Sequence, residues 1–109
     1  MIAAWQGHAT YLQMLINAKA NFEAASQSGN TALILAASNG NTACVEVLID
    51  AKADVNLVNE DGNTALISAA SRGHTRCSRV LLDAKADIDA TNENGDTALI
   101  LTAYQGHIE

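Results

Sequence analysis

The sequence predicts an all-α solenoid, in which helix–turn–helix units stack and are joined by β-turn or hairpin loops. Three observations carry this. One block of sequence recurs at a fixed shift of 33 residues, each copy opens on turn-forming residues, and apolar residues follow at helical spacing. The recurring block is Gly29-Asn30-Thr31-Ala32-Leu33-Ile34, then Gly62-Asn63-Thr64-Ala65-Leu66-Ile67, then Gly95-Asp96-Thr97-Ala98-Leu99-Ile100. A second block, Ala18-Lys19-Ala20-Asn21, returns in the same phase as Ala51-Lys52-Ala53-Asp54 and Ala84-Lys85-Ala86-Asp87. Gly7-His8, Gly40-Asn41, Gly73-His74 and Gly106-His107 form a third.

Each unit is predicted element by element. Gly29 and Asn30 both tolerate positive φ and make a turn. Thr31 suits a helix N-cap, its hydroxyl accepting a bond from a free helical N–H. Residues 32–39 form about two turns with Leu33, Ala36 and Ala37 on one stripe. Gly40 ends that helix in the left-handed conformation. A second helix over about residues 42–51 turns Val45, Leu48 and Ile49 inward. The small residues of the first helix allow close approach of neighbouring backbones. A single unit this small cannot bury its apolar face, so at least about three must stack. The units fall at 26–58 and 59–91, with partial repeats at 1–25 and 92–109, all within one domain.

These blocks resemble the ankyrin repeat family, whose pattern runs G-x-T-P-L-H-x-A-A-x-x-G-H, a leucine-rich helix, then G-A-D-V-N. The resemblance covers essentially the whole chain; Leu48, Ile49, Ala53, Asp54, Val55 and Asn56 give its closing signature nearly verbatim. Three departures stand out. The family proline is Ala32, Ala65 and Ala98, which keeps helix propensity. The family histidine is Ile34, Ile67 and Ile100, so apolar packing replaces a polar link to the threonine. The closing glycine is Lys19, Lys52 and Lys85; in a left-handed backbone each lysine costs about 1–2 kcal/mol. A cation beside a helix C-terminus recovers about 0.3–1 kcal/mol of that.

Composition narrows the function classes. Net charge is −6, from six Lys and Arg against twelve Asp and Glu, so the basic clustering that nucleic acids demand is missing. No run of about eighteen apolar residues is present to span a membrane. Cys44 and Cys77 are too few for a disulfide scaffold, so a reducing intracellular compartment, cytoplasm or nucleus, is expected. Neither a nucleophile elbow nor a phosphate loop is found, and no enzyme and no cofactor is expected. His8, His74 and His107 occupy one repeat position and therefore lie along the stack, where even adjacent repeats are about 10 Å apart, too far to share a metal. The same spacing keeps Cys44 and Cys77 beyond disulfide reach, so both are expected as small buried hydrophobes. Asp54 and Asp87 are expected to serve turn hydrogen bonds. Asn56, in the family's leucine-x5-aspartate-valine-asparagine pattern, is a candidate acceptor for asparaginyl hydroxylation.

The resemblance also implies where a partner binds. The family's concave palm, formed by the first helices, falls on Trp5 and Gln6, Ser38 and Asn39, Ser71 and Arg72, and Tyr104 and Gln105. Its hairpin fingers fall on Gln27, Ser28 and Asn30, then Glu60, Asp61 and Asn63, then Glu93, Asn94 and Asp96. These are the positions where the units differ from one another, while Thr, Leu and Ala repeat between them. The expected function is a non-catalytic protein-interaction module, with a partner presenting basic residues to the acidic later fingers. The alternatives are a spacer or autoregulatory arm of a larger protein, or an engineered scaffold; Trp5 alternatively covers the N-terminal end. Incomplete units at the two ends also allow head-to-tail self-stacking.

Overall fold

A computed structural model describes the backbone of residues 2–108 and the side chains of residues 7–105. The described residues form six helices and no strand: α1 (Ile2–Asn17), α2 (Ala32–Ser38), α3 (Thr42–Asp50), α4 (Ala65–Ser71), α5 (Thr75–Asp83) and α6 (Ala98–Ile108). First helices pack on first helices, α2 on α4 and α4 on α6; second helices pack likewise, α1 on α3 and α3 on α5. The result is an elongated stack of 41 × 27 × 25 Å.

Local chemistry sets the helix boundaries. Thr31 and Thr64 hold extended backbone as N-caps, and their hydroxyls accept from Ile34 N at 3.3 Å and Ile67 N at 3.2 Å. Thr97 repeats the bond to Ile100 N at 3.2 Å. Gly40 and Gly73 stand at φ +70° and +73°. Behind Gly40, the Asn41 N–H bonds back to Ala36 O and the Gly40 N–H to Ala37 O, closing the helix with two of its free carbonyls satisfied. The second helices end the same way on a lysine. Lys52 N–H donates to Ile49 O and Ala53 N–H to Leu48 O, with Lys52 at φ +71°. Lys19 and Lys85 share that φ of +71°, so all three lysines hold the glycine's left-handed backbone.

The core follows the predicted stripes. Leu33, Val45, Leu48, Ile67, Cys77 and Leu81 are all but inaccessible. Burying each leucine fully stabilises the stack by about 1.5–3 kcal/mol. Ile34 and Ile67 are buried in the core as the apolar replacement predicts, whereas their counterpart Ile100 is 49% exposed.

One expectation is corrected. Gly7-His8 does not divide the first unit: α1 runs unbroken from Ile2 to Asn17, and α6 likewise continues through Gly106. The inner links are held from outside. The next unit's His74 bonds the Ser38 carbonyl, and Gln105 Nε2 bonds the Ser71 carbonyl, each belonging to the last residue of its helix. Asn41, at the matching place for Gly7, instead caps its own helix by accepting from Cys44 N at 3.2 Å. Among the described residues nothing packs within 4 Å of a Cβ placed on Gly7, so none of them enforces a break there.

Candidate partner-binding face

The fingers are tight turns laid side by side. Each closes on a backbone bond across five residues: Ser26 N–H to Asn30 O, Asn59 N–H to Asn63 O, and Asn92 N–H to Asp96 O, all 3.0–3.1 Å. Asn59 Oδ1 also accepts from both Asp61 N and Asn63 N at 3.0 Å, and Asn92 Oδ1 does the same for Asn94 N and Asp96 N. Neighbouring fingers are then tied. Glu60 N–H donates to Ser28 O and Glu93 N–H to Asp61 O, both at 3.0 Å. Asn59 Nδ2 donates to Asn30 Oδ1 at 2.9 Å, and Asn92 Nδ2 to Asn63 Oδ1 at 3.0 Å. Gly62 is required twice over: its φ is +76°, and a Cβ there would lie 2.9 Å from Glu93 N.

This ladder sorts the finger residues. The Asn30 and Asn63 carboxamide oxygens are engaged by the next finger, and both residues are partly buried. Gln27, Ser28, Glu60, Asp61, Glu93 and Asn94 are exposed, and Asp96 is partly so. Asn59 and Asn92 were not among the sequence-predicted residues, although their recurrence at the 33-residue shift is visible in the sequence.

On the palm, Asn39, Ser71, Arg72 and Tyr104 are exposed, and Ser38 and Gln105 are partly buried. Tyr104 is 68% exposed, high for a large aromatic ring. Ser71 Oγ donates to Ser68 O at 3.0 Å, which leaves its lone pairs as hydrogen-bond acceptors. Trp5 and Gln6 belong to α1, but their side chains lie outside the described residues, as does that of His107.

The residues expected to be structural take such places. Asp54 Oδ1 accepts from Asn56 N at 2.9 Å and Asp87 Oδ1 from Asp89 N at 3.0 Å, each closing its own turn. Asn56 is exposed and its Oδ1 accepts from Asp87 N at 2.9 Å, so the hydroxylation candidate also ties two loops together. Cys44 and Cys77 are free and buried. Desolvation raises both thiol pKa values, partly offset by bonds from Asn41 to Cys44 and Thr42 to Cys77, while nearby Glu46 raises Cys77 further. Among the described residues no group of three His, Cys, Asp or Glu side chains is placed to hold a metal ion. No described helix is long and apolar enough to cross a membrane.

A stack of antiparallel helix pairs carrying side-by-side turns defines a repeat solenoid of the helix-pair class. Residues 1–92 match the ankyrin repeat family pattern in three copies, and the chain belongs to that family. No curated protein matches it. Ankyrin repeats generally mediate binding to other proteins and are typically non-catalytic.

Proposed function

We propose that this chain holds a partner protein against the palm of its first helices and the tips of its fingers, without catalysing a reaction on it. The observation that carries the reading is a division between positions. Where the units agree, at the Leu33 and Leu66 or Ala37 and Ala70 positions, the side chains are buried. Where they differ, as in Asn39 against Arg72, or Gln27 against Glu60 and Glu93, the side chains are exposed. The invariant set builds the lattice and the variable set shapes its surface. Tyr104 offers an anchor of the kind enriched at interface hot spots. Glu60, Asp61, Glu93 and Asp96 favour a basic segment, steered by charge at the finger tips.

Selection of peptides from a random display library against the immobilised chain tests this. Selected peptides should be rich in Lys and Arg, and Tyr104→Ala should weaken them roughly tenfold. Neutralising Glu60, Asp61 and Glu93 together should flatten the salt dependence of binding. Ligands that are indifferent to both changes would remove this face from the function.

A second mode has its own observation. Leu99 is 75% exposed and Ile100 49%, although their counterparts Leu33, Ile34, Leu66 and Ile67 are each 2% or less. At the other end of the stack Tyr11, Met14 and Leu15 are exposed. We propose that these end faces allow head-to-tail stacking of copies. Sedimentation velocity over a wide concentration range decides it: a monomer at every concentration rejects the stacking.

A further inference from the structure

Charge in this molecule is sorted by the end of the repeat. α2 and α4 each run from the fingers to a glycine link, and α3 and α5 run back. Ten of the twelve acidic residues lie at the finger end, eight in the connecting segments 18–31, 51–64 and 84–97 and two, Asp50 and Asp83, as the last residues of α3 and α5. The three lysines share that end. All three arginines lie in one short run away from that end: Arg72 caps α4, Arg76 stands in the first turn of α5 and Arg79 at its middle. All three are exposed, and His74 lies partly buried between them. Arg76 and Arg79, three residues apart on one helix, project from a common face.

The fold does not ask for arginine at these places. The preceding unit carries Asn39, Ala43 and Glu46 there and forms the same link and helix. Local electrostatics oppose it as well. Arg76 places a cation in the first turn of α5, at the positive end of the helix dipole. His74 stands at the N-cap with no side-chain cap bond, where Asn41 supplies one to α3. A local rule broken without a gain in packing points to a surface requirement.

We propose that the link end of the third unit, centred on Arg76 and Arg79 with Arg72 at its margin, docks a short acidic peptide segment of a partner. Guanidinium groups pair with carboxylates through two parallel N–H···O bonds, a match that lysine does not offer. Glu46 and Asp83 border the patch and limit its length to a few opposing carboxylates. That limit, with a net charge of −6, disfavours an extended polyanion such as a nucleic acid. Arg72 is shared with the palm, whereas Arg76 and Arg79, on the second helix α5, lie outside the palm and fingers, so the two readings can fail separately when the test rests on Arg76 and Arg79.

The test uses a fluorescein-labelled peptide of about eight Asp and Glu residues, titrated by anisotropy at about 0.1 M salt. Binding should saturate and weaken as salt rises. Arg76→Gln with Arg79→Gln should lower affinity roughly tenfold, while Lys52→Gln with Lys85→Gln leaves it within about twofold. Circular dichroism melts confirm that each variant folds. Three results would overturn the proposal. One is the absence of saturable binding, and another is an equal loss in the lysine variant, which marks non-specific attraction. The third is displacement of the peptide by another occupant: a nucleic-acid oligomer that binds more tightly, or a second copy whose association needs Arg76 and Arg79.

Discussion

His74 Nε2 lies 3.1 Å from the Ser38 carbonyl, 36 residues earlier in the chain, and its ring rests on Gly40. A carbonyl only accepts, so the neutral ring carries its proton on Nε2. The bond satisfies a carbonyl at the end of α2 that the helix itself leaves free, and it joins two units at the link.

Replacing His74 with alanine removes this bond and the packing on Gly40. We expect a loss of about 1–2 kcal/mol in urea unfolding. His74→Asn should recover about half of it by capping α5 as Asn41 caps α3. Equal losses for the two variants would refute the compensation.

Two glycines at the same repeat position should respond oppositely to alanine. At Gly40 a Cβ would lie 2.7 Å from His74 Nδ1 on a φ of +70°, so Gly40→Ala should destabilise by more than about 1 kcal/mol. Gly7 lies inside α1 with open space around it, and Gly7→Ala should stabilise by about 0.5–1 kcal/mol. Destabilisation by Gly7→Ala would show that the first link breaks in solution.

Lys52→Gly and Lys85→Gly each relieve a side chain from φ +71°. Each should stabilise the fold by about 1 kcal/mol, less the small dipole contribution of the charge, and so raise the urea midpoint with the m-value unchanged. The two sites are one unit apart and share no hydrogen bond, so their gains should add.

Cys77 is fully buried, and burial holds its thiol pKa above the unfolded value. The unfolded chain therefore loses its thiol protons first as pH rises. The corresponding stability is complete below about pH 8 and declines as pH climbs through the unfolded value toward the folded one. Thermal melts between about pH 7 and 10 should show this decline, and Cys77→Ala should reduce it. Labelling of Cys77 by a thiol reagent at neutral pH should proceed only as fast as the stack opens.

Much of this was legible in the sequence because each local rule pointed the same way. Thr31 and Thr64 were readable as caps, Gly40 and Gly73 as helix ends, and Leu33, Leu48 and Leu81 as core, since turn chemistry and helical spacing coincide there. The left-handed lysines were readable only through their register with the family glycine, because no propensity favours lysine at positive φ. What escaped was carried by side chains acting between units. Nothing local to Gly7 says that its link lacks a lock; the answer lies in Asn41, which spends its carboxamide on its own helix. The Asn59 and Asn92 ladder escaped for the same reason, being polar residues in loops whose partners lie 29 residues away. The sorting of arginines to one end emerged only once the helix directions were fixed.

The neighbour-only packing of α2 on α4, α4 on α6 and α3 on α5 has a consequence for how the molecule comes apart. With few contacts reaching past the adjacent unit, the chain behaves as a short zipper, and its opening is a boundary that travels. Leu66 and Ile67 sit where both neighbours are present, whereas Leu99 has a neighbour on one side only. Amide exchange should accordingly be slowest in α4 and quicken outward through α6.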